Sequence, residues 1–177
     1  MSQLALLGGP KACSFERVET WEPDYDREIA LCSQVIRERS FSHTGHPIAL
    51  EFEQRFRELV SGTEFVLPQN NGTSTLIAGY FGVGVGPGDE VICPTYTWIC
   101  SFAPAMVLGA KPVFCDLDPE TLCLDPGDLE RWITPRTKAI CVPHLFGTVC
   151  DLDPIMQVAR AHGIAVVEDC SHSHGAR

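Results

Sequence analysis

The chain of 177 residues has about the length of one domain, and its composition, 45% hydrophobic and 20% charged, is typical of a globular protein. Its formal net charge of −10 disfavours binding to polyanions, because nucleic-acid binders concentrate lysine and arginine on their surface. Since no apolar stretch reaches the length of a membrane span or a signal-peptide core, the sequence predicts a cytoplasmic protein without nucleic-acid or membrane partners.

The nine cysteines do not form a metal-binding or disulfide pattern. Their number is odd, no CxxC is present, and most of them lie inside apolar runs such as VIC, VFC and AIC. We therefore expect most of them to be reduced and buried as small hydrophobic side chains.

Two amphipathic helices are predicted in the first third of the chain. The first begins at Asp24 and places Ile29, Cys32 and Ile36 on one face. The second covers residues 48–62 and ends at Gly62. Its side chains predicted to face inward are Leu50, Phe52, Phe56, Leu59 and Val60. The sequence thus predicts an N-terminal helical segment over residues 1–62.

From residue 63 short apolar runs alternate with helical stretches. Runs of this kind are typical of buried strands in a parallel sheet that helices cover on both faces. The sequence therefore predicts an α/β fold with a mainly parallel sheet, one structural unit over residues 63–177. The predicted strands are 65–67, 90–93, 112–115, 138–142 and 164–168.

Four loops follow the predicted strands, and ligands of such sheets bind outside the carboxyl ends of the strands. We therefore expect these loops to lie close together although they are far apart in sequence. They are NNGTS at 70–74, TYTW at 95–98, PHLFG at 143–147 and EDCSHSH at 168–174.

The first loop leads from a predicted strand into a helix through Asn71 and Gly72. Backbone N–H groups at a helix start bind phosphate, and a glycine allows the phosphate to approach the backbone closely. The alternative is an ordinary turn in which Thr73 or Ser74 caps the helix.

Asp169 follows an apolar strand directly, so its carboxylate needs a cationic or hydrogen-bonding partner. A protonated pyridine nitrogen fits that need, and Trp98 at the same mouth could stack on a flat ring. A helix cap or a salt bridge for Asp169 and a core position for Trp98 are the alternatives. His172 and His174, with Asp169 and Cys170, are residue types that bind zinc. Alternate positions after a strand point in opposite directions, however, so the sequence predicts no metal site.

The ordered set of motifs resembles the DegT/DnrJ/StrS-type sugar aminotransferases, which are fold type I enzymes dependent on pyridoxal 5′-phosphate (PLP). The similarity runs from about Phe41 to Arg177 and is specific in its order. The matching stretches are EFEQRF, NNGTSTL, GDEVICPTYTWICSFAPAMVLGAKPVFCDLDPETLCLD, TPRTKAICVPHLFGTVCDLDPI and HGIAVVEDCSHSHGA.

The resemblance implies a role for each matching residue. Gly72 and Thr73 would bind the cofactor phosphate, and Trp98 would stack on the pyridine ring. Asp169 would bind the ring nitrogen and act in catalysis together with His172. Further cofactor contacts are implied for Ser171, beneath the ring, and for His172, near the phenolic oxygen. Asn71 departs from the smaller residue that is common at its position.

The resemblance also implies a lysine that forms a Schiff base with PLP, and we expect none of the three lysines of this chain to be that lysine. Lys111 and Lys138 precede predicted strands and so lie at the opposite edge of the sheet, while Lys11 lies in an unpatterned stretch. We therefore expect a second polypeptide to supply the lysine and the C-terminal half, in a hetero-oligomer that transfers an amino group from glutamate or glutamine to a keto-sugar nucleotide or cyclic ketone. The alternatives are a non-catalytic partner of a full-length paralogue and a component of a lysine-independent PLP dehydratase.

Overall fold

A sheet of four parallel strands, in the order β2-β1-β3-β4, organises the computed structural model, which describes residues 3–11, 22–60 and 62–176. The strands are β1 (Glu90–Pro94), β2 (Lys111–Cys115), β3 (Thr137–Pro143) and β4 (Ala165–Asp169). The α-helices are α1 (Tyr25–Glu38), α2 (Pro47–Leu59), α3 (Gly72–Gly82), α4 (Ala103–Val107), α5 (Pro126–Leu129) and α6 (Leu152–His162). Strands 90–93, 112–115, 138–142 and 164–168 are thus confirmed within one or two residues.

Both faces of the two central strands are buried, as their continuous apolar sequences predict. Ile92 and Ile140 pack on one face with side chains of α5 and α6. Val91 and Cys141 pack on the other face, around the fully buried Tyr80 of α3. Helices therefore cover the sheet on both sides, which confirms the predicted α/β class.

The register of the strands places all four carboxyl ends at one edge of the sheet. Pro94 pairs with Cys115 at the end of β1, and Pro143 pairs with Asp169 at the end of β3. The loops that leave β1, β3 and β4 therefore begin within one or two strand spacings of each other.

By packing, the chain divides into two units, Met1–His46 and Pro47–Arg177. The predicted organisation into residues 1–62 and 63–177 stays a prediction. Helix α1 begins as predicted, because the side chain of Asp24 accepts a hydrogen bond from the Arg27 N–H at 3.1 Å. Ile29, Cys32 and Ile36 of α1 are exposed. On the second helix the inward-facing prediction is wrong for four side chains, which are also exposed, namely Leu50, Phe52, Leu59 and Val60.

Residues 65–67 form no strand, which corrects the prediction of a fifth one. Phe65 and Leu67 instead line an apolar groove of about 430 Å³ together with Phe52 and Phe56 of α2. The β-favouring sequence of this segment is overridden because its residues pair with none of the described strands.

The cysteine prediction is confirmed for the described part of the chain, where every cysteine is free. Five of them are buried, namely Cys93, Cys115, Cys123, Cys141 and Cys150. Of the helices in the described ranges, none is long and apolar enough to cross a membrane.

Glu90, the first residue of β1, is buried at the amino edge of the sheet and is bonded to the segment before β3. Its carboxylate accepts hydrogen bonds from Thr134 Oγ1 at 2.5 Å and from Arg136 Nη2 at 2.8 Å. These hydrogen bonds lower the pKa of Glu90 below its ordinary value of 4.5, and the bond from Thr134 has the larger effect. The ionised form is therefore favoured by folding, and its contribution to stability is complete above pH 4.5 and is lost as the pH falls through the lowered pKa.

We expect Glu90→Gln to lower the free energy of unfolding by about 1.5–3 kcal/mol near neutral pH, because it weakens hydrogen bonds to a charged group. The deficit should shrink as the pH is lowered below 4.5. Urea denaturation at several pH values measures both effects. Glu64→Gln, at an exposed position, is the matched control. A pH-independent deficit would show that the ionisation of Glu90 does not contribute.

Candidate active site

The four loops predicted to converge do so around one cavity of about 220 Å³ at the carboxyl ends of the strands. The predicted convergence of the four loops is therefore confirmed. Each loop provides at least one residue of the cavity wall. The lining consists of Gly72, Thr73, Leu76, Trp98, Cys100, Ser101, Pro143, His144, Leu145, Asp169, Ser171 and His172.

The start of α3 forms one wall of the cavity. Asn71 caps this helix, because its Oδ1 accepts a hydrogen bond from the Ser74 N–H at 2.9 Å. The alternative in which Thr73 or Ser74 is the cap is therefore wrong. Among the first turn's N–H groups, those of Gly72 and Thr73 have no intrahelical partner and lie at the cavity.

Gly72 leaves space at this wall. A Cβ added there would meet Ser171 Oγ as its nearest neighbour, at 3.9 Å, which is ordinary contact. The protein alone therefore does not require glycine at this position. A side chain here would occupy the space between the helix start and Ser171, where a ligand could approach the backbone.

Trp98 also lines the cavity and is 69% exposed. The alternative in which it is a core tryptophan is therefore wrong. Trp98 precedes a 3₁₀ turn, Ile99–Ser101, that brings Cys100 and Ser101 to the cavity wall. The Thr73 hydroxyl donates to Cys100 Sγ at 3.2 Å and so connects this turn to α3.

Asp169, at the end of β4, accepts three hydrogen bonds from its surroundings. Its Oδ1 receives the Ser171 N–H at 3.1 Å and the Ser171 hydroxyl at 2.6 Å. Its Oδ2 receives the hydroxyl of Ser101 at 3.2 Å. A carboxylate offers about four lone-pair positions. One position on Oδ2 thus remains open to a further donor.

The buried Ser101 is itself held from two sides. Because its single hydroxyl proton is donated to Asp169, the Thr97 hydroxyl at 2.8 Å donates to Ser101. The Tyr80 hydroxyl donates to the carbonyl of Ser101. Burial raises the pKa of Tyr80 far above its ordinary value, so its proton stays in place. Ser101, which donates to Asp169, is therefore fixed by neutral donors at both its hydroxyl and its carbonyl, and Tyr80 connects it to the core.

The four residues considered as candidate metal ligands do not form a cluster of ligand atoms in the described structure. His174 lines the apolar groove with Phe52, whereas His172 lines the cavity. Among the described residues a different group lies within 4.8 Å, namely His144, Glu168 and Cys170. His144 Nδ1 accepts the Cys150 N–H at 3.1 Å, so Nε2 carries the proton and donates to Glu168 at 3.2 Å. This group is a hydrogen-bonded cluster in which the imidazole has no lone pair left for a metal.

Cys170, next to Asp169, is a neutral thiol. Burial raises its pKa above the ordinary value of 9.0, and the nearby Glu168 carboxylate adds to that effect. Since the thiolate is the nucleophilic form, Cys170 is a structural side chain at this site.

Sequence reasoning missed several members of the cavity wall, above all Ser101, Cys100 and His144. Ser101 follows Trp98 by three residues, but a single serine gives no sequence signal of its own, because its partner Asp169 lies 68 positions away.

Neither of the two lysines in the described part of the sheet reaches the cavity. Lys111 is the first residue of β2 and Lys138 is the second of β3, so both lie at the amino edge. Their predicted placement opposite the site is confirmed.

The chain is similar to curated aminotransferases and related synthases. An L-glutamine:2-deoxy-scyllo-inosose aminotransferase of Micromonospora echinospora is 44% identical over 181 residues, which cover 100% of this chain and 43% of that protein. A GDP-perosamine synthase of Caulobacter vibrioides is 46% identical over 127 residues, which cover 72% of this chain and 34% of that protein. The chain thus spans well under half the length of these relatives.

Solved structures show the same fold. The crystal structure of 3-amino-5-hydroxybenzoic acid synthase matches with a TM-score of 0.80 and 33% identity, over 94% of this chain and 42% of that one. NtdA from Bacillus subtilis with bound cofactor PMP (pyridoxamine phosphate) matches with a TM-score of 0.78 and 29% identity, over 86% of this chain and 35% of that one.

The match to a family model covers most of the chain. The model of the DegT/DnrJ/EryC1/StrS aminotransferase family matches residues 24–177, which include every residue of the cavity wall. The predicted resemblance and its cofactor are therefore confirmed at the level of the family. The chain belongs to the DegT/DnrJ/EryC1/StrS family of PLP-dependent aminotransferases.

Proposed function

We propose that this chain is the cofactor-orienting part of a cytoplasmic PLP-dependent aminotransferase. The reaction is the transfer of an amino group from glutamine or glutamate to a cyclic ketone or a keto-sugar nucleotide. The observation that carries the proposal is the cavity wall, in which a helix start and an open carboxylate position face the same space. The relatives named as L-glutamine:2-deoxy-scyllo-inosose aminotransferase and GDP-perosamine synthase support the two acceptor classes.

The residues present fit PLP at both of its charged ends. The free N–H groups of Gly72 and Thr73 suit the phosphate, because a helix N-terminus favours an anion. The exposed indole of Trp98 suits the face of the ring. The open position on Asp169 Oδ2 suits the protonated ring nitrogen, and Ser171 and His172 complete the wall.

The bound cofactor supplies an electron sink for the carbanion formed at the substrate carbon. The task of Asp169 is to keep a proton on the ring nitrogen, since a negative charge beside that nitrogen favours its protonated form. Ser101 and Ser171 fix the plane of the carboxylate so that Oδ2 points at one place. Trp98 and the start of α3 hold the orientation of the ring during proton transfer.

The amine that bonds the cofactor comes, in this proposal, from polypeptide outside residues 1–177. None of the cavity's described lining residues is a lysine. A second chain in a hetero-oligomer would meet this need, and so would a further segment of a longer chain. A non-catalytic partner of a full-length paralogue and a lysine-independent PLP dehydratase are alternatives that the experiments below separate.

We expect Gly72→Ala to weaken PLP binding by about 10-fold or more while it leaves thermal stability unchanged. The added methyl group meets no protein atom closer than 3.9 Å, but it fills the space next to the helix start. Equilibrium dialysis and thermal denaturation measure the two effects. Gly82→Ala, at the other end of the same helix and with no atom within 4 Å, is the matched control. Equal PLP affinity of both variants would contradict phosphate binding at α3.

We expect Asp169→Asn to reduce transamination by about 100-fold or more, because a neutral amide does not favour the protonated ring nitrogen. PLP binding should change much less, since the phosphate contacts remain. Steady-state kinetics on the complete enzyme and dialysis of the same sample measure both. Asp153→Asn, at the exposed start of α6, controls for the loss of one charge. Full activity of Asp169→Asn would show that the carboxylate has another role.

Borohydride reduction of the PLP-loaded protein, purified with any bound partner, locates the lysine. We expect the pyridoxyl mass on peptides outside residues 1–177, because Lys111 and Lys138 lie at the far edge of the sheet. Intact and peptide mass spectrometry identify the modified polypeptide and distinguish a second chain from a longer form of this one. A pyridoxyl group on Lys11, Lys111 or Lys138 would contradict the assignment. No adduct in a sample that binds PLP would favour the dehydratase alternative.

A further inference from the structure

Phe146 holds the ring of His172 in two ways. The backbone N–H of Phe146 donates to His172 Nδ1 at 3.3 Å. The two rings are stacked, with 5.7 Å between their centroids and 30° between their planes. These contacts join the loop after β3 to the loop after β4, next to the cavity that His172 lines.

The backbone of Phe146 is in a conformation that is uncommon for its residue type. Its φ of 55° and ψ of 25° lie in the left-handed region, and Gly147 follows with φ of 83°. A bulky residue persists there only where its surroundings enforce the conformation. At Gly147, an added Cβ would come 3.8 Å from the carbonyl oxygen of His172, so the turn packs closely on the His172 backbone.

The hydrogen bond decides which nitrogen of His172 carries the proton. A neutral imidazole has one N–H donor and one acceptor nitrogen. Because Nδ1 accepts from Phe146, the proton lies on Nε2. Within the described part of the chain, no acceptor contacts that Nε2–H, so the ring presents a free donor at the cavity.

We propose that Phe146 is a positioning residue, whose backbone N–H and ring together fix His172 in the tautomer that offers Nε2–H to a ligand oxygen. In the proposed function this oxygen belongs to the bound cofactor, and that part of the inference rests on the proposed function. The tautomer itself is a property of the chain without cofactor, so it can be tested separately.

The first test is nitrogen NMR of the ¹⁵N-histidine-labelled protein at about pH 8.5, above the ordinary range of imidazole titration. We expect His172 to show one protonated and one unprotonated ring nitrogen, with the proton on Nε2. In Phe146→Ala the separation between the two nitrogen shifts should shrink, because the ring exchanges between tautomers. Phe146→Tyr, which keeps the ring and the backbone, should restore the wild-type spectrum.

Assignment of the signal uses His172→Gln, in which it disappears. Phe146 is 70% exposed, so its replacement leaves the core intact. A proton on Nδ1 in the wild type, or identical His172 spectra for wild type and Phe146→Ala, would overturn the proposal.

The second test links the tautomer to the cofactor. Phe146→Ala should weaken PLP binding by about 2- to 12-fold, which corresponds to one hydrogen bond. If the tautomer depends on Phe146 but the wild type binds no PLP, the proposed function fails and the positioning role stands. If PLP binds equally to the wild type and Phe146→Ala, the link to the cofactor is overturned.

Discussion

The hydrogen bond from the His144 N–H to the carbonyl of Asp169, 3.1 Å long, fixes the edge of the sheet on which the site depends. It continues the β3–β4 ladder to the last residue of β4, where Pro143 and Asp169 are paired in register. The backbone of Asp169 is therefore fixed by strand pairing, although its carboxylate lies in a cavity that is lined mainly by loops. The two loops that leave this point meet again where Phe146 contacts His172.

The carboxylate of Asp169 is stabilised without a positive charge from the cavity wall. Three donors, all neutral, reach it from Ser101 and Ser171. Had an arginine filled the fourth position, it would neutralise Asp169 and remove its influence on a ligand. Neutral donors instead keep the full negative charge, and a half-buried charge of this kind favours a cationic partner such as a protonated ring nitrogen.

The sequence predicts the parallel sheet because buried strands differ in pattern from their surroundings. Once the strands are placed, the convergence of Trp98 and Asp169 follows from the geometry of parallel sheets. Gly72 reaches the same cavity at the start of α3, although no strand precedes it in the described structure. Ser101 and Phe146 were not predicted, because each acts through a partner distant in sequence. The left-handed Phe146 even contradicts local residue preference. At 65–67 the local residue preference favours a strand, but the prediction is wrong because these residues pair with none of the described strands.

The cavity wall is better suited to orienting a cofactor than to retaining it. None of the lining residues in the described part is a lysine or arginine. A helix N-terminus contributes about 0.3–1 kcal/mol toward an anion, and each hydrogen bond to a charged group contributes about 1.5–3 kcal/mol. Hydrogen bonds are directional, so the N–H groups of Gly72 and Thr73 and the open position on Asp169 Oδ2 fix where a cofactor lies as well as contributing to its binding. In the proposed enzyme these residues therefore orient the cofactor, and the amine that bonds it covalently comes from polypeptide outside residues 1–177.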